Sequence, residues 1–264
     1  MELTVGIIGV GNMGEALLSG LLKSGTPTSN ISFAQRDDER AGFISSKYGI
    51  VRESLLTTAA SDVVLLCVKP KDIAQLCEQI KGSIKTGAVV VSVAAGKTIE
   101  GIQNILGEDV AVVRVMPNTP TFISKGAAGI SWGTAVTPTQ IDFIRKIFMA
   151  SGIVVEITED LQAAVTAMSG SGPAYFFAFV EAMIEGGKTL GLSAEVATKL
   201  ATQTIIGAAG MLEESGKSAQ ELRENVTSPN GTTHAALSAF HDAGLQKLVA
   251  DAMEAAAKRS RELA

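Results

Sequence analysis

Up to about residue 160 the chain alternates two patterns. Short runs that are apolar at almost every position alternate with longer stretches that are apolar every third or fourth residue. The short runs are LTVGIIG (3–9), NISFAQ (30–35), DVVLLCV (62–68), AVVVSVA (88–94), VAVVRVM (110–116), AAGISW (127–132) and IVVEI (153–157), with a shorter one near Ile50–Val51. Strands this apolar belong inside a sheet covered on both faces. The helical pattern fills 12–24, 37–48, 71–81 and 98–106 between them, which predicts an α/β fold with a parallel, doubly wound sheet. A further helix over 138–150 has a strong start: Thr137 as N-cap, Pro138 at N1 and Gln140 at N3.

After about Asp160 the strand pattern stops. The spacing predicts helices over 173–190, 194–214, 219–225, 233–242 and 245–261. Ser193 and Ser218 read as N-caps, Ser218 with Glu221 completing a capping box, and Ser171 as a cap ahead of Gly172 and Pro173. No Lys or Arg occurs from 147 through 187, so the helix from Pro173 carries few charges. A helix that apolar is buried, either against another subunit or within its own domain. One stretch departs from the helical pattern: TSPNGTT, 227–233, is small, polar and uncharged. The predicted domains are 1–160 and 161–264.

Composition narrows the partners. Of 264 residues 46% are hydrophobic and 19% charged, with a net charge of −5, so the chain can build a large core. No Lys/Arg-rich run points to nucleic acid or a membrane surface. The longest apolar stretches fall short of a membrane span and no leader pattern precedes them, so a cytoplasmic protein is expected. Cys67 and Cys77 are not a CxxC pair and read as reduced thiols. His234 and His241 lie too far apart in sequence to share one ion, and no metal site is expected.

The clearest chemical signal is GIIGVGNMGEALLSGLL, with Gly9, Gly11 and Gly14 in GxGxxG spacing between a strand and a helix. Gly9 permits the tight turn, Gly11 lets backbone approach a pyrophosphate, and Gly14 lets helix pack near strand. Val10, Asn12 and Met13 complete this dinucleotide loop, whose helix-start amides face the phosphates. An NAD site carries an acid at the end of the second strand; here Gln35 and Arg36 stand there. A neutral residue beside a guanidinium suits a 2′-phosphate, so NADP(H) is favoured and NAD(H) remains open. Asp37 and Asp38 read as the next helix's N-cap and first turn. Three more segments sit at strand ends, where ligands of such sheets bind: CVKP with Val68, Lys69 and Pro70, SVAAG with Ala94 and Ala95, and VMPNTP with Asn118. Asn118 offers a carboxamide to a ribose or nicotinamide. Lys69 reads equally as a solvated lysine.

GIIGVGNMGEAL, LLCVKP, SVAAGKTI, RVMPNTP, SGSGPAY and NVTSPNGTTHAAL together resemble pyrroline-5-carboxylate reductase, in family order from residue 3 to about 261. The last motif is the most specific. The resemblance implies a Rossmann-type N-terminal domain, a C-terminal all-α dimerisation domain, and dimers that assemble further into a decamer. It implies hydride transfer from NAD(P)H to the C=N carbon of 1-pyrroline-5-carboxylate, giving L-proline, between the nicotinamide and the helical domain. It places Thr233 at the imine nitrogen and Ser228, Pro229, Asn230, Gly231 and Thr232 around the carboxylate, with Asn225 nearby; SGSGPAY packs against the site. A helix beginning near Thr232–Thr233 suits an anion on physical grounds as well; a plain helix cap at Thr232 is the simpler use of the same residues.

Asn230 departs from the commoner SPGGT, and Gln35–Arg36 from the family's serine-rich or Asn-Arg forms. Reduction of a protonated imine needs orientation more than a strong base, which fits the absence of an acid–base pair. A β-hydroxyacid dehydrogenase would carry a Lys early in the helix after SGSGP, where the first is Lys188. A reductase of another cyclic imino acid and a non-catalytic NADP(H)-binding module are the other readings.

Overall fold

The computed structural model describes residues 3–263. In chain order the first part runs β1 (Val5–Ile8), α1 (Asn12–Lys23), β2 (Ile31–Ala34), α2 (Asp38–Tyr48), β3 (Val51–Arg52), α3 (Leu55–Ala59), β4 (Val63–Leu66) and α4 (Ile73–Ile80). It continues with β5 (Val89–Ser92), α5 (Ile99–Leu106), β6 (Ala111–Met116), β7 (Gly126–Trp132), α6 (Pro138–Met149) and β8 (Gly152–Glu156). The strands form one sheet in the order β3-β2-β1-β4-β5-β6-β7-β8. β1 pairs in parallel with β2 on one side and β4 on the other. The sheet therefore grows in opposite directions from β1, leaving a crevice at the carboxyl ends of β1 and β4.

Adjacent strand residues feed two separate cores. Ile7, Leu65 and Val89 join Leu17, Leu21, Ile44 and Ile147 on one face. Ile8, Leu66 and Val90 join Ile73, Leu76, Ile80 and Ile102 on the other. This period of two explains why the strand runs carry almost no polar residue. Each such side chain contributes about 1.5–3 kcal/mol on burial.

β7 corrects the expectation of a wholly parallel sheet, because it pairs antiparallel with β6, Val113 opposite Trp132. Only a short loop with a 3₁₀ turn at Thr119–Ile123 joins the two strands. A parallel partner would need a crossover of a dozen or more residues. β8 restores parallel pairing with β7. The predicted caps at Thr137, Ser193 and Ser218 are present, the first and last as complete capping boxes.

Three further helical features follow a different course from the sequence reading. α3 is a single turn capped by Ser54. The chain is also already helical at Glu159, through α7 (Gln162–Val165) and a wide π turn at Thr166–Gly170. Ser171 does not cap the next helix: its dihedrals are helical and its N–H bonds the Thr166 carbonyl at 2.8 Å. The run Glu159–Thr189 is consequently long and apolar enough to cross a membrane by length and composition, although 22% of its most apolar window is buried in the chain itself. The buried Gln162 amide anchors this segment, its Nε2 donating to Ser131 Oγ at 2.9 Å and the Gly129 carbonyl at 3.2 Å. Arg114, buried in β6, pairs with Glu159 at 3.1 Å.

The remaining helices are α8 (Gly172–Thr189), α9 (Ala194–Glu214), α10 (Ala219–Asn225), α11 (Thr232–Asp242) and α12 (Leu245–Glu262). The chain forms two compact units, one running to Ser171 and including the chain from Ala255 onward, the other spanning Gly172–Glu254. In the second, α8 and α9 pack as a hairpin in which a Cβ on Gly187 would lie 3.3 Å from the Ala197 methyl. Ala197 and Ala201 are the only buried hydrophobic side chains of this unit among the described residues.

Candidate active site

The glycine loop is built as its spacing predicts. Gly9 leaves β1 with φ 92°, and a Cβ there would sit 3.0 Å from the Cys67 carbonyl oxygen and from Val68 Cγ1. Gly14 lies so close to Gly9 that a Cβ would collide with the Gly9 carbonyl oxygen. Gly11 is the N-cap of α1 and makes no side-chain capping bond. A Cβ on Gly11 would meet nothing within 4 Å. The α1 amides thus face open space with a partial positive charge, the arrangement that binds phosphate.

That open space is a cavity of about 890 Å³ at the β1/β4 crevice. Gly9, Gly11, Gln35, Arg36, Val68 and Lys69 line it. Val10 is instead fully buried in the core, and Gly14 is a packing residue beneath the loop. Asn12 and Met13 form the first turn of α1, and Pro70 opens a 3₁₀ turn after β4. Ala94 is buried in the turn after β5, and neighbouring Gly96 packs against the end of the chain at Ser260 and Leu263.

Gln35 has a use the sequence did not suggest. Its Oε1 accepts from the Val10 N–H at 3.3 Å, tying the end of β2 to the glycine loop. Arg40 grips the same loop, its Nε donating to the Val10 carbonyl at 2.7 Å. Arg40 is held in turn by Glu15, which also accepts from Lys47 at 2.8 Å and Tyr48 at 2.9 Å. Burial pushes the Glu15 carboxyl up, but these three donors together outweigh it and bring the pKa down to about 2. Asp37 is the N-cap of α2, accepting from the Arg40 N–H at 2.7 Å. Burial pushes the thiols of Cys67 and Cys77 up to about 12 and about 11, so both stay protonated.

Asn118 is 8% exposed, and both ends of its carboxamide have protein partners. Its Nδ2 donates to the Ser169 carbonyl at 3.0 Å and its Oδ1 accepts from the Ala127 N–H at 2.9 Å. The side chain fastens the turn after β6 to the π turn. Sequence reasoning missed Arg40, Arg52 and Lys71, the last two also lining the cavity. The short run near Ile50–Val51 was the available signal for Arg52, since a strand there brings its own end to the same sheet edge.

In the helical unit, Ser228–Gly231 form a tight turn closed by the Gly231 N–H to the Ser228 carbonyl at 3.0 Å. Pro229 and Asn230 are its central residues, and Asn230 takes φ 57°. Proline then a left-handed residue is the pattern of a type II turn, and Asn tolerates that region best after Gly. The family's commoner glycine at this position needs no other explanation. Gly231, not Thr232, is the N-cap of α11, and no side chain caps it. Thr232 and Thr233 therefore stand in a first turn whose amides are free to meet an anion. Asn225 ends α10, and the His234 side chain is exposed.

Known proteins share this architecture throughout. A family model described as pyrroline-5-carboxylate reductase dimerisation matches residues 159–263, and one described as NADP oxidoreductase coenzyme F420-dependent matches 4–96. The chain is 41% identical to a pyrroline-5-carboxylate reductase of Corynebacterium melassecola, covering 98% of each, and 40% identical to that of Pseudomonas aeruginosa, covering 98% of this chain and 96% of that one. The solved structure of a Coxiella burnetii pyrroline-5-carboxylate reductase superposes with a TM-score of 0.93 at 36% identity, covering 100% of this chain and 99% of that one. A Plasmodium falciparum pyrroline carboxylate reductase with NADP bound superposes at 0.89 and 29% identity, with the same coverage. A glycine loop open to phosphate, a helical unit without a core of its own, and near-full-length identity of this order make the chain a member of the pyrroline-5-carboxylate reductase family.

Proposed function

We propose that the chain reduces the C=N bond of 1-pyrroline-5-carboxylate to L-proline, the last step of proline biosynthesis, and takes its hydride from NADPH in preference to NADH. The observation that carries this reading is the uncapped start of α11 behind the Ser228–Gly231 turn, a receptor for a small anion in a chain that also holds a dinucleotide cavity.

When bound, the reduced nicotinamide supplies the hydride. The Ser228 and Thr232 hydroxyls and the free amides in the first turn of α11 hold the substrate carboxylate, while Pro229, Asn230 and Gly231 shape the turn that leaves room for it, with Asn225 beside them. Thr233 hydrogen-bonds the ring nitrogen and fixes which carbon is presented. The imine enters protonated and keeps that proton as the product amine, so the chain needs no general base. On the cofactor side, Gly9, Gly11 and the α1 amides take the pyrophosphate and Arg36 takes the 2′-phosphate. Val68 and Lys69 wall the crevice, Pro70, Ala94 and Ala95 belong to the turns that follow β4 and β5 beside it, and Asn118 acts by holding its turn. The working division is a nucleotide domain of 1–160 and a substrate and dimerisation domain of 161–264, supported by the family match beginning at 159.

The helical unit's exposed apolar side chains support a dimer, with a decamer as the larger assembly. The same contacts account for the apolar run Glu159–Thr189 without a membrane. A net charge of −5 without a Lys/Arg-rich run supports a reading with no nucleic-acid partner, and we place this biosynthetic enzyme in the cytoplasm. The test is NADPH oxidation with 1-pyrroline-5-carboxylate, run beside NADH and a six-membered cyclic imino acid. Proline formation, faster with NADPH, is the expected result. Turnover of the six-membered ring alone would move the substrate assignment, and NADPH binding without turnover would leave a non-catalytic module.

A further inference from the structure

The geometry points to Arg52 as a second specificity-determining residue for the cofactor: with Arg36 it forms a two-arginine receptor for a phosphate on the adenosine ribose. This rests on the NADPH reading above and names a residue that reading does not use.

The sheet register places Arg52. β3 pairs in parallel with β2, Phe33 opposite Arg52. The end of β2, with Gln35 and Arg36 just beyond it, therefore lies on the same sheet edge as Arg52. Arg36 and Arg52 both line the cavity. Arg52 is also fixed in place, its Nη1 pairing with Asp38 at 2.6 Å and its Nη2 donating to the Gln35 carbonyl at 2.7 Å. A guanidinium has five N–H donors, so donors remain for a ligand. Held planar and oriented, such a group binds phosphate with less loss of freedom than a loose lysine.

Arg52 also settles the role of the acids that follow β2. A free carboxylate there would repel a 2′-phosphate and accept the diol of the unphosphorylated ribose. Asp37 is engaged by the Arg40 N–H and Asp38 by Arg52. Gln35 occupies the position of a diol-binding acid, and its Oε1 is already taken by the Val10 N–H. Glu53 and Asp72 also line the cavity, against Arg36, Arg52, Lys69 and Lys71, so cations outnumber acids even with Asp37 counted. Removing Arg52 would take away one phosphate donor and release Asp38 at the same time.

The experiment is equilibrium competition by 2′,5′-ADP and by 5′-AMP for the cofactor site of the purified enzyme, in wild type, Arg36→Ala, Arg52→Ala and Arg52→Lys. It needs no imine substrate, so it is independent of the reaction assigned. Arg52→Ala is expected to weaken 2′,5′-ADP by about tenfold or more, the usual loss for a charge-assisted hydrogen bond, and 5′-AMP by less than about twofold. Arg52→Lys restores part of the difference and guards against misfolding of the alanine variant. Equal weakening of both nucleotides would mean that Arg52 only supports the β2 end, and overturns the inference. Undiminished preference in Arg52→Ala overturns it too, leaving the cofactor reading intact. A wild type with no preference for 2′,5′-ADP overturns both.

Discussion

Two glycines three positions apart separate cofactor binding from folding at the level of single residues. Gly11 has φ −66° and free space where a Cβ would be, so Gly11→Ala folds normally yet fills the approach of the pyrophosphate. Gly14→Ala drives a methyl into the Gly9 carbonyl and lowers stability by about 1–3 kcal/mol, the usual penalty of overpacking. Thermal melts and NADPH titration should show Gly11→Ala losing affinity alone and Gly14→Ala losing both. In the helical unit, Thr233→Ala should reduce kcat by about tenfold or more, as loss of a hydrogen bond to a charged group implies. NADPH affinity should stay within about twofold. Turnover close to wild type would remove Thr233 from the chemistry. Gly9 and the Pro229–Asn230 turn were legible because the backbone conformations there favour those residue types. Asn118 was misjudged in one respect: its carboxamide already has partners from Ser169 and Ala127, a long-range fact that no local pattern encodes.

At the scale of elements, α1 and α2 are joined by a polar clamp rather than by apolar packing alone. Glu15 on α1 receives Arg40, Lys47 and Tyr48 from α2, and Arg40 also holds the glycine loop. The folded Glu15 carboxyl sits at about 2 against an ordinary value of 4.5. Its pKa is depressed in the folded state, so its stabilising contribution is fully present above about pH 4.5. It disappears as pH falls from there towards 2, and amounts to about 3 kcal/mol. Glu15→Gln should therefore be less stable than wild type at pH 7, with the two converging near pH 2 in urea titrations. A constant difference across that range would show that Glu15 acts by packing. Strand runs and the caps at Thr137, Ser193 and Ser218 were readable because period and cap chemistry are local. The antiparallel turn into β7 was not, since strand direction depends on connection length and on what the strand meets. α3 escaped notice at one turn, too short for any period to register. The π turn at Thr166–Gly170 is fixed by Gln162 and Asn118, contacts that reach 31 and 51 residues along the chain.

At the scale of the whole molecule, the sheet unit and the helical unit are stabilised differently. The sheet unit buries two clusters of large side chains. The helical unit leaves Phe176, Phe177, Phe179, Ile206, Leu212 and Leu248 exposed. Apolar surface on that scale marks an interface between chains, and the family match over 159–263 is described as dimerisation. Sedimentation should find no monomer at micromolar concentration. Phe177→Asp should yield smaller or aggregated species with the sheet unit still able to bind NADPH. A wild type that sediments as a monomer would contradict this account.

A unit whose only buried hydrophobic side chains are two alanines has a further consequence. Such a unit gains most of its apolar burial on assembly, so its melting point is expected to rise with protein concentration, which thermal melts over a dilution series would check. For a dimer, each tenfold dilution removes about 1.4 kcal/mol of apparent stability. A cell that makes little of this enzyme would hold it closer to unfolding than a cell that makes much.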